Sequence, residues 1–212
     1  MLQKLYPGGV LVLAGANSAA SLRSMPARYL FFDELDAAPF DLDGEGSPLD
    51  LAEARTRTFS RRKILIVSTP TLANRSPIER EFLGGDQRFF MVACPHCGKH
   101  QRLVFSQLRW KDDDLDTVRY ECEHCGAHLD EHHKTKMLAS GYWEPTNPEG
   151  GWRSYHISTL YSPLGWFSWK QCVGSFLKAH KSDSAMKVFT NTILGEVYQE
   201  KGEAPAWEDL YN

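Results

Sequence analysis

The chain has 212 residues, 42% hydrophobic and 24% charged, enough to bury one large core or a core plus a small insert. Its net charge of −3 excludes a chain-wide basic footprint, so any contact with nucleic acid must come from a local patch. No apolar run approaches the roughly 20 residues of a membrane-spanning helix. Residues 1–10 also lack the basic start and long apolar centre of an export signal, so the cysteines are read as metal ligands before disulfides.

In chain order, the first third reads as α/β. Short unbroken apolar runs at 10–14, 29–32 and 64–67 fit strands of a parallel sheet covered on both faces. The stretch 50–59 between the last two has helical spacing and an Ala/Glu/Arg composition. Breaks come from Gly8-Gly9, Asp43-Gly44-Glu45-Gly46 and Ser47-Pro48. From 91 to about 130, paired cysteines, alternating residues (Gln101 to Phe105) and an acidic turn at Asp112-Asp113-Asp114 predict a small β module. A short amphipathic helix follows at 131–140, ended by Gly141. Next comes an irregular aromatic stretch with Trp143, Trp152, Trp166 and Trp169. Helices are predicted at 169–181 and 184–192, and residues 202–212 read as a linker. The expected domains are an α/β part at 1–90, the β module at 91–130, a helical and aromatic part at 131–201, and the linker.

The run 29–32 ends in Asp33-Glu34. Nucleotide hydrolases need acids at the carboxyl end of a buried strand: the first holds Mg²⁺ and the second polarises the attacking water. Asp33 suits the first role and Glu34 the second. The same pair also suits the start of a helix, where acids favour the dipole. The run 64–67 leads into Ser68-Thr69-Pro70-Thr71, whose hydroxyls fit γ-phosphate sensing, or equally a turn and helix cap. Two neighbouring strands ending in acid-acid and Ser-Thr-Pro-Thr are more specific together than either is alone. A Gly-rich loop followed by Lys and Ser/Thr, the phosphate cradle, does not occur in the sequence. Isolated, the chain is therefore not expected to hydrolyse ATP at a meaningful rate.

Cys94-Pro95-His96-Cys97-Gly98 and Cys122-Glu123-His124-Cys125-Gly126 are matched knuckles. Their spacing lets Cys94, Cys97, Cys122 and Cys125 reach one tetrahedral ion, and four thiolates make a closed, structural zinc site. His96, His100, His124 and His128 are rival ligands that four thiolates leave unneeded. Cys172 reads as a small buried apolar residue.

The order of these features resembles phage terminase large subunits of the GpA type. Gly15-Ala16-Asn17-Ser18, Leu22-Arg23-Ser24 and the run 29–36 resemble the region up to the Walker B motif, and Ser68-Thr69-Pro70-Thr71 resembles the coupling motif. The two knuckles with Gln101 resemble the zinc-binding insert. Leu160-Tyr161-Ser162-Pro163 and the run 189–196 resemble the segment that closes the ATPase domain. The resemblance implies a partial P-loop-NTPase-like parallel sheet with helices, a small β zinc ribbon and a C-terminal helical segment. It implies Mg²⁺ and ATP as cofactors of the complete protein, with a Walker A loop and a nuclease domain lying outside these residues. It also implies packaging of double-stranded DNA with a small terminase subunit and a procapsid portal. The motor would be oligomeric, in the cytoplasm of the infected or lysogenic host. Two other readings share the residues. One is a non-enzymatic zinc-ribbon module binding DNA or protein, with Tyr155, Tyr161, Trp166 and Trp169 stacking on bases. The other is a helicase-like ATPase fragment.

Overall fold

The computed structural model describes residues 2–23 and 25–200; the linker expected at 202–212 lies outside them. The chain forms two compact units, 1–69 and 70–212, rather than dividing near 90.

The first unit opens with β1 (Leu2–Tyr6) and β2 (Gly9–Leu13), paired antiparallel from Tyr6↔Gly9 to Leu2↔Leu13. The expectation that 10–14 joins a buried parallel sheet is thus corrected. The turn at Pro7-Gly8 closes a local hairpin, which costs less chain entropy than a distant pairing. Leu5, Val10, Leu11 and Leu13 of this hairpin are exposed. After α1 (Ala19–Arg23) comes β3 (Tyr29–Asp33), then a 3-10 turn (Leu35–Ala37), α2 (Pro48–Ala54) and β4 (Lys63–Val67). Ser47 caps α2 by accepting from the Asp50 N–H, with Pro48 in the first turn.

The two strands β3 and β4 pair directly and in parallel, from Tyr29↔Lys63 to Asp33↔Val67. On one side of this pair Phe32 is buried, together with Leu35, Leu42, Leu49 and Ala52. The other side is open: Tyr29, Phe31 and Leu65 are 62%, 60% and 57% exposed. Cover on both faces, expected from the unbroken apolar runs, is therefore absent within this unit.

The second unit holds α3 (Pro77–Gly84), β5 (Arg88–Ala93), β6 (His100–Arg102), β7 (Leu108–Lys111), β8 (Asp114–Glu121) and β9 (His128–Leu129). It continues with α4 (Lys134–Ala139), β10 (Tyr142–Pro145), β11 (Tyr155–His156), α5 (Trp169–Ala179) and α6 (Asp183–Val188), which runs into a π-helical turn (Phe189–Leu194). One sheet has β10 and β6 antiparallel to β5 and β11 parallel to it; the other is the antiparallel order β7-β8-β9. A reciprocal capping box of Ser168 and Gln171 starts α5.

One core runs through both sheets and the helices: Val92, Cys94, Leu103, Tyr120, Cys122, Leu129, Leu160, Trp169, Cys172 and Phe189 are all in it. The β module and the helical part that follows it therefore share an interior. Tyr161 and Trp169 fill that core, whereas Tyr155 and Trp166 lie at the surface. The segments 84–88 and 147–154 are laced backbone to backbone. Gly151 N–H donates to Gly84 O (3.0 Å), Asp86 N–H to Trp152 O (2.8 Å) and Arg88 N–H to Ser154 O (2.8 Å). At their closest point, a Cβ on Gly150 would sit 2.1 Å from the carbonyl carbon of Gly85.

Candidate nucleotide edge and metal centre

The parallel register brings the carboxyl ends of β3 and β4 to one sheet edge, because Asp33 lies opposite Val67. Asp33 and Glu34 follow the one strand and Ser68 and Thr69 the other. Glu34 adopts a left-handed backbone, φ 53° and ψ 54°. For a residue with a Cβ this costs on the order of 1 kcal/mol or more, and such outliers gather at functional turns. The Ser68 hydroxyl accepts from the Asp36 N–H at 2.9 Å. It thereby ties the loop after β4 to the turn after β3. The two carboxylates and the hydroxyls are visible in the sequence; the bond through Asp36 is signalled by no local pattern.

Thr71 belongs to the second unit. Its carbonyl accepts from the Asn191 amide (2.7 Å) and from the Tyr198 N–H (2.9 Å).

In the second unit Cys94, Cys97, Cys122 and Cys125 converge, all four sulfurs lying within 4.8 Å of one another. The two knuckles have the same backbone geometry. Cys94 N–H donates to Lys99 O and Gly98 N–H to Cys94 O, each at 2.9 Å; Cys122 N–H to Ala127 O and Gly126 N–H to Cys122 O repeat both bonds at 2.9 Å. Gly98 and Gly126 hold φ of 73° and 69°, the left-handed turn that glycine takes without strain. Gln101, fully buried, accepts the Glu123 N–H on its side-chain oxygen at 3.0 Å. A ring nitrogen of His124 lies 2.9 Å from His100 O. Both contacts lock one knuckle against the other.

A phage terminase large subunit gpA ATPase-domain sequence model matches residues 1–143. This chain belongs to the GpA-type phage terminase large subunits. A second model, of the endonuclease domain of the terminase large subunit gpA, matches residues 152–212. That match is at odds with the expectation that nuclease residues lie outside the chain, since the stretch read as closing the ATPase domain falls inside it. The terminase chain is 32% identical over 219 residues to the terminase large subunit of Escherichia phage lambda, covering 90% of this chain and 33% of that protein. It is 30% identical over 215 residues to the terminase large subunit of Enterobacteria phage P21, covering 88% and 32%. It thus spans about a third of the length of these curated relatives. No solved structure matches the chain.

The terminase's sulfur cluster has the chemistry of a cation site. Burial raises the Cys122 thiol, yet the N–H groups of Cys125 and His124 and the neighbouring thiols outweigh it and bring Cys122 down to about 7. Cys125 is pushed up to about 12: the Ala127 N–H opposes that shift, and the neighbouring thiols overcome it. Thiols that compete this way for protons give them up together when a divalent cation replaces them. The four sulfurs and the paired N–H turns fit such an ion.

Proposed function

We propose that this chain supplies the Walker B and coupling elements of the ATP-driven motor that packages viral double-stranded DNA into procapsids. What carries this reading is the direct parallel pairing of β3 and β4, with Ser68 bonded across to Asp36 at the edge that bears Asp33 and Glu34. Mg²⁺ bound with ATP would neutralise charge on the phosphates. Asp33, an exposed carboxylate at the strand end, is the residue to hold it, since hard oxygen ligands suit that ion. Glu34 takes the proton of the attacking water. Ser68 and Thr69 sense the γ-phosphate, and the Ser68–Asp36 bond joins sensing to the turn that carries Glu34. Thr71 completes the coupling motif.

The four cysteines bind zinc as a structural ion in a zinc ribbon, a closed set with no position for substrate. The small terminase subunit and the procapsid portal are the expected partners of an oligomeric motor working in the cytoplasm of the infected or lysogenic host. Residues 152–212 belong with the endonuclease part of the protein.

The test is Glu34→Gln in the terminase that contains this chain. ATP turnover should fall by about 100-fold or more, with duplex DNA binding retained. Undiminished turnover would show that Glu34 is not the water-polarising acid. A binding module without enzymatic action predicts no turnover to lose.

A further inference from the structure

Opposite the carboxyl ends of β3 and β4 lies a second chemical feature. The run 55–63, Arg-Thr-Arg-Thr-Phe-Ser-Arg-Arg-Lys, holds five basic residues and no acid, in a chain whose net charge is −3. It leads into the amino end of β4, while Arg28 stands at the amino end of β3. Arg28, Arg57, Arg61, Arg62 and Lys63 are all exposed. None of the five forms an ion pair among the described residues.

These cations stand on a fixed base. Thr56 is fully buried and its hydroxyl donates to Glu53 O (2.8 Å). Arg55 O accepts the Ala27 N–H (3.1 Å), and its guanidinium donates to Arg23 O (3.0 Å). Lys63 N–H donates to Arg28 O (3.1 Å), and the Arg28 guanidinium donates to Arg61 O (3.4 Å) while lying 5.2 Å from the Tyr29 ring centre. The backbone that carries the charges is thus pinned to both strand starts. Uncompensated like charges on a pinned backbone repel one another, and a polyanion relieves that repulsion.

The nucleotide of the proposed function is the wrong anion for this edge. A five-residue strand separates its two ends by about 13 Å, and nucleotide phosphates belong at the carboxyl end. We propose that this amino-terminal edge is a contact surface for the phosphate backbone of double-stranded DNA, formed by Arg28, Arg57, Arg61, Arg62 and Lys63. The assignment rests on the packaging reading for the identity of the polyanion. Cations on an exposed edge read phosphate and not base sequence, which suits a motor that must grip any sequence.

The experiment measures binding of the full chain to a mixed-sequence duplex by fluorescence anisotropy, from about 50 to 200 mM salt. The triple variant Arg61→Gln/Arg62→Gln/Lys63→Gln should bind at least about tenfold more weakly. Its slope of log affinity against log salt should be shallower by about 2 to 3, close to 0.9 for each phosphate that is no longer neutralised. Arg61→Lys/Arg62→Lys, which keeps the charge, should hold the wild-type slope and guards against a folding defect in the triple variant. Arg80→Gln/Lys136→Gln, which removes two cations elsewhere, should leave affinity unchanged. An unaltered slope in the triple variant, or an equal loss in the Arg80/Lys136 control, overturns the proposal. So does a triple variant that loses polyglutamate binding but not DNA binding, since the edge then serves an acidic peptide. Wild-type protein that ignores duplex DNA altogether would instead count against the packaging reading itself.

Discussion

The side-chain amide of Asn191 donates to the carbonyl of Thr71 at 2.7 Å and to that of Glu196 at 2.8 Å. Asn191 is buried, and its one amide group ties the two carbonyls together. Asn191→Ala removes both bonds, each worth about 0.5–1.5 kcal/mol net, so about 1–3 kcal/mol together, while Thr71 O keeps the Tyr198 N–H. Urea denaturation should show a loss of that size. Amide exchange should quicken at Ala73 and Tyr198, whose N–H groups donate to Tyr198 O and Thr71 O. Asn191→Asp should be at least as damaging, because a carboxylate faces both carbonyls with no proton to give. A wild-type denaturation midpoint in the alanine variant would dismiss the clamp.

Metal removal should reach well beyond the knuckles. Cys94 and Cys122 belong to the same core as Leu160, Trp169 and Cys172, and the Tyr120 and Trp169 ring centres lie 5.4 Å apart. Purified protein should contain about one zinc per chain. Chelation should abolish near-ultraviolet dichroism from Trp169, and Cys122→Ser should do the same without a chelator. Absence of zinc from protein purified under reducing conditions would rule out the site.

Lys134 is fully buried. Its ammonium pairs with Glu131 at 2.5 Å and lies 5.3 Å from the Trp169 ring centre, while Glu131 also accepts the Trp169 N–H at 2.9 Å. Lys134→Met leaves a half-buried carboxylate without its cation, for which about 3–5 kcal/mol is the usual scale in a fully buried pair. Lys134→Met/Glu131→Gln should recover part of that loss, because the amide still accepts from Trp169. Thermal unfolding of the two variants checks the order; a double variant less stable than the single one would refute it.

His156 packs against Phe82 and Phe89, and its ring nitrogen lies 3.0 Å from Gly195 O. Burial first, then the Arg102 guanidinium, hold its pKa below the ordinary value of 6.5. The Arg102 charge is partly answered by Glu196 at 3.5 Å. The unfolded chain therefore binds the proton more readily, so stability is complete above about pH 6.5 and falls as pH drops below it. In His156→Gln this part of the acid slope should vanish. Comparison with wild type at each pH cancels contributions from the thiolates, and identical slopes would contradict the assignment.

The strands β3 and β4 were legible within a residue of their ends, because unbroken apolar runs bounded by polar tetrads leave little choice. The knuckles were legible because Cys-x-x-Cys-Gly encodes a local turn. Less legible was everything set by partner choice. The run 10–14 is a strand, but the Pro7-Gly8 turn pairs it with residues 2–6 in place of β3 or β4, and no periodicity states that preference. The helix α3 (Pro77–Gly84) carries local signals of its own: Ser76-Pro77 with Glu79 starts it, and Ile78, Phe82 and Leu83 lie at helical spacing. The Ser68–Asp36 and Asn191–Thr71 bonds join residues 32 and 120 positions apart, a separation that single-sequence reasoning does not bridge.

The lacing of 84–88 against 147–154 changes how a mutational survey of this protein should be read. No side chain fits at Gly150 while the backbone of Gly85 and Asp86 stays where it is. A survey scored on phage yield should therefore find position 150 as intolerant as Glu34, and alanine there as harmful as larger residues. The cause is volume and not chemistry. Ranking positions by intolerance alone would place an inert loop beside the residues proposed for the nucleotide edge. Soluble yield, scored beside phage yield, separates the two: Gly150 variants should fail both measures and Glu34 variants only the second.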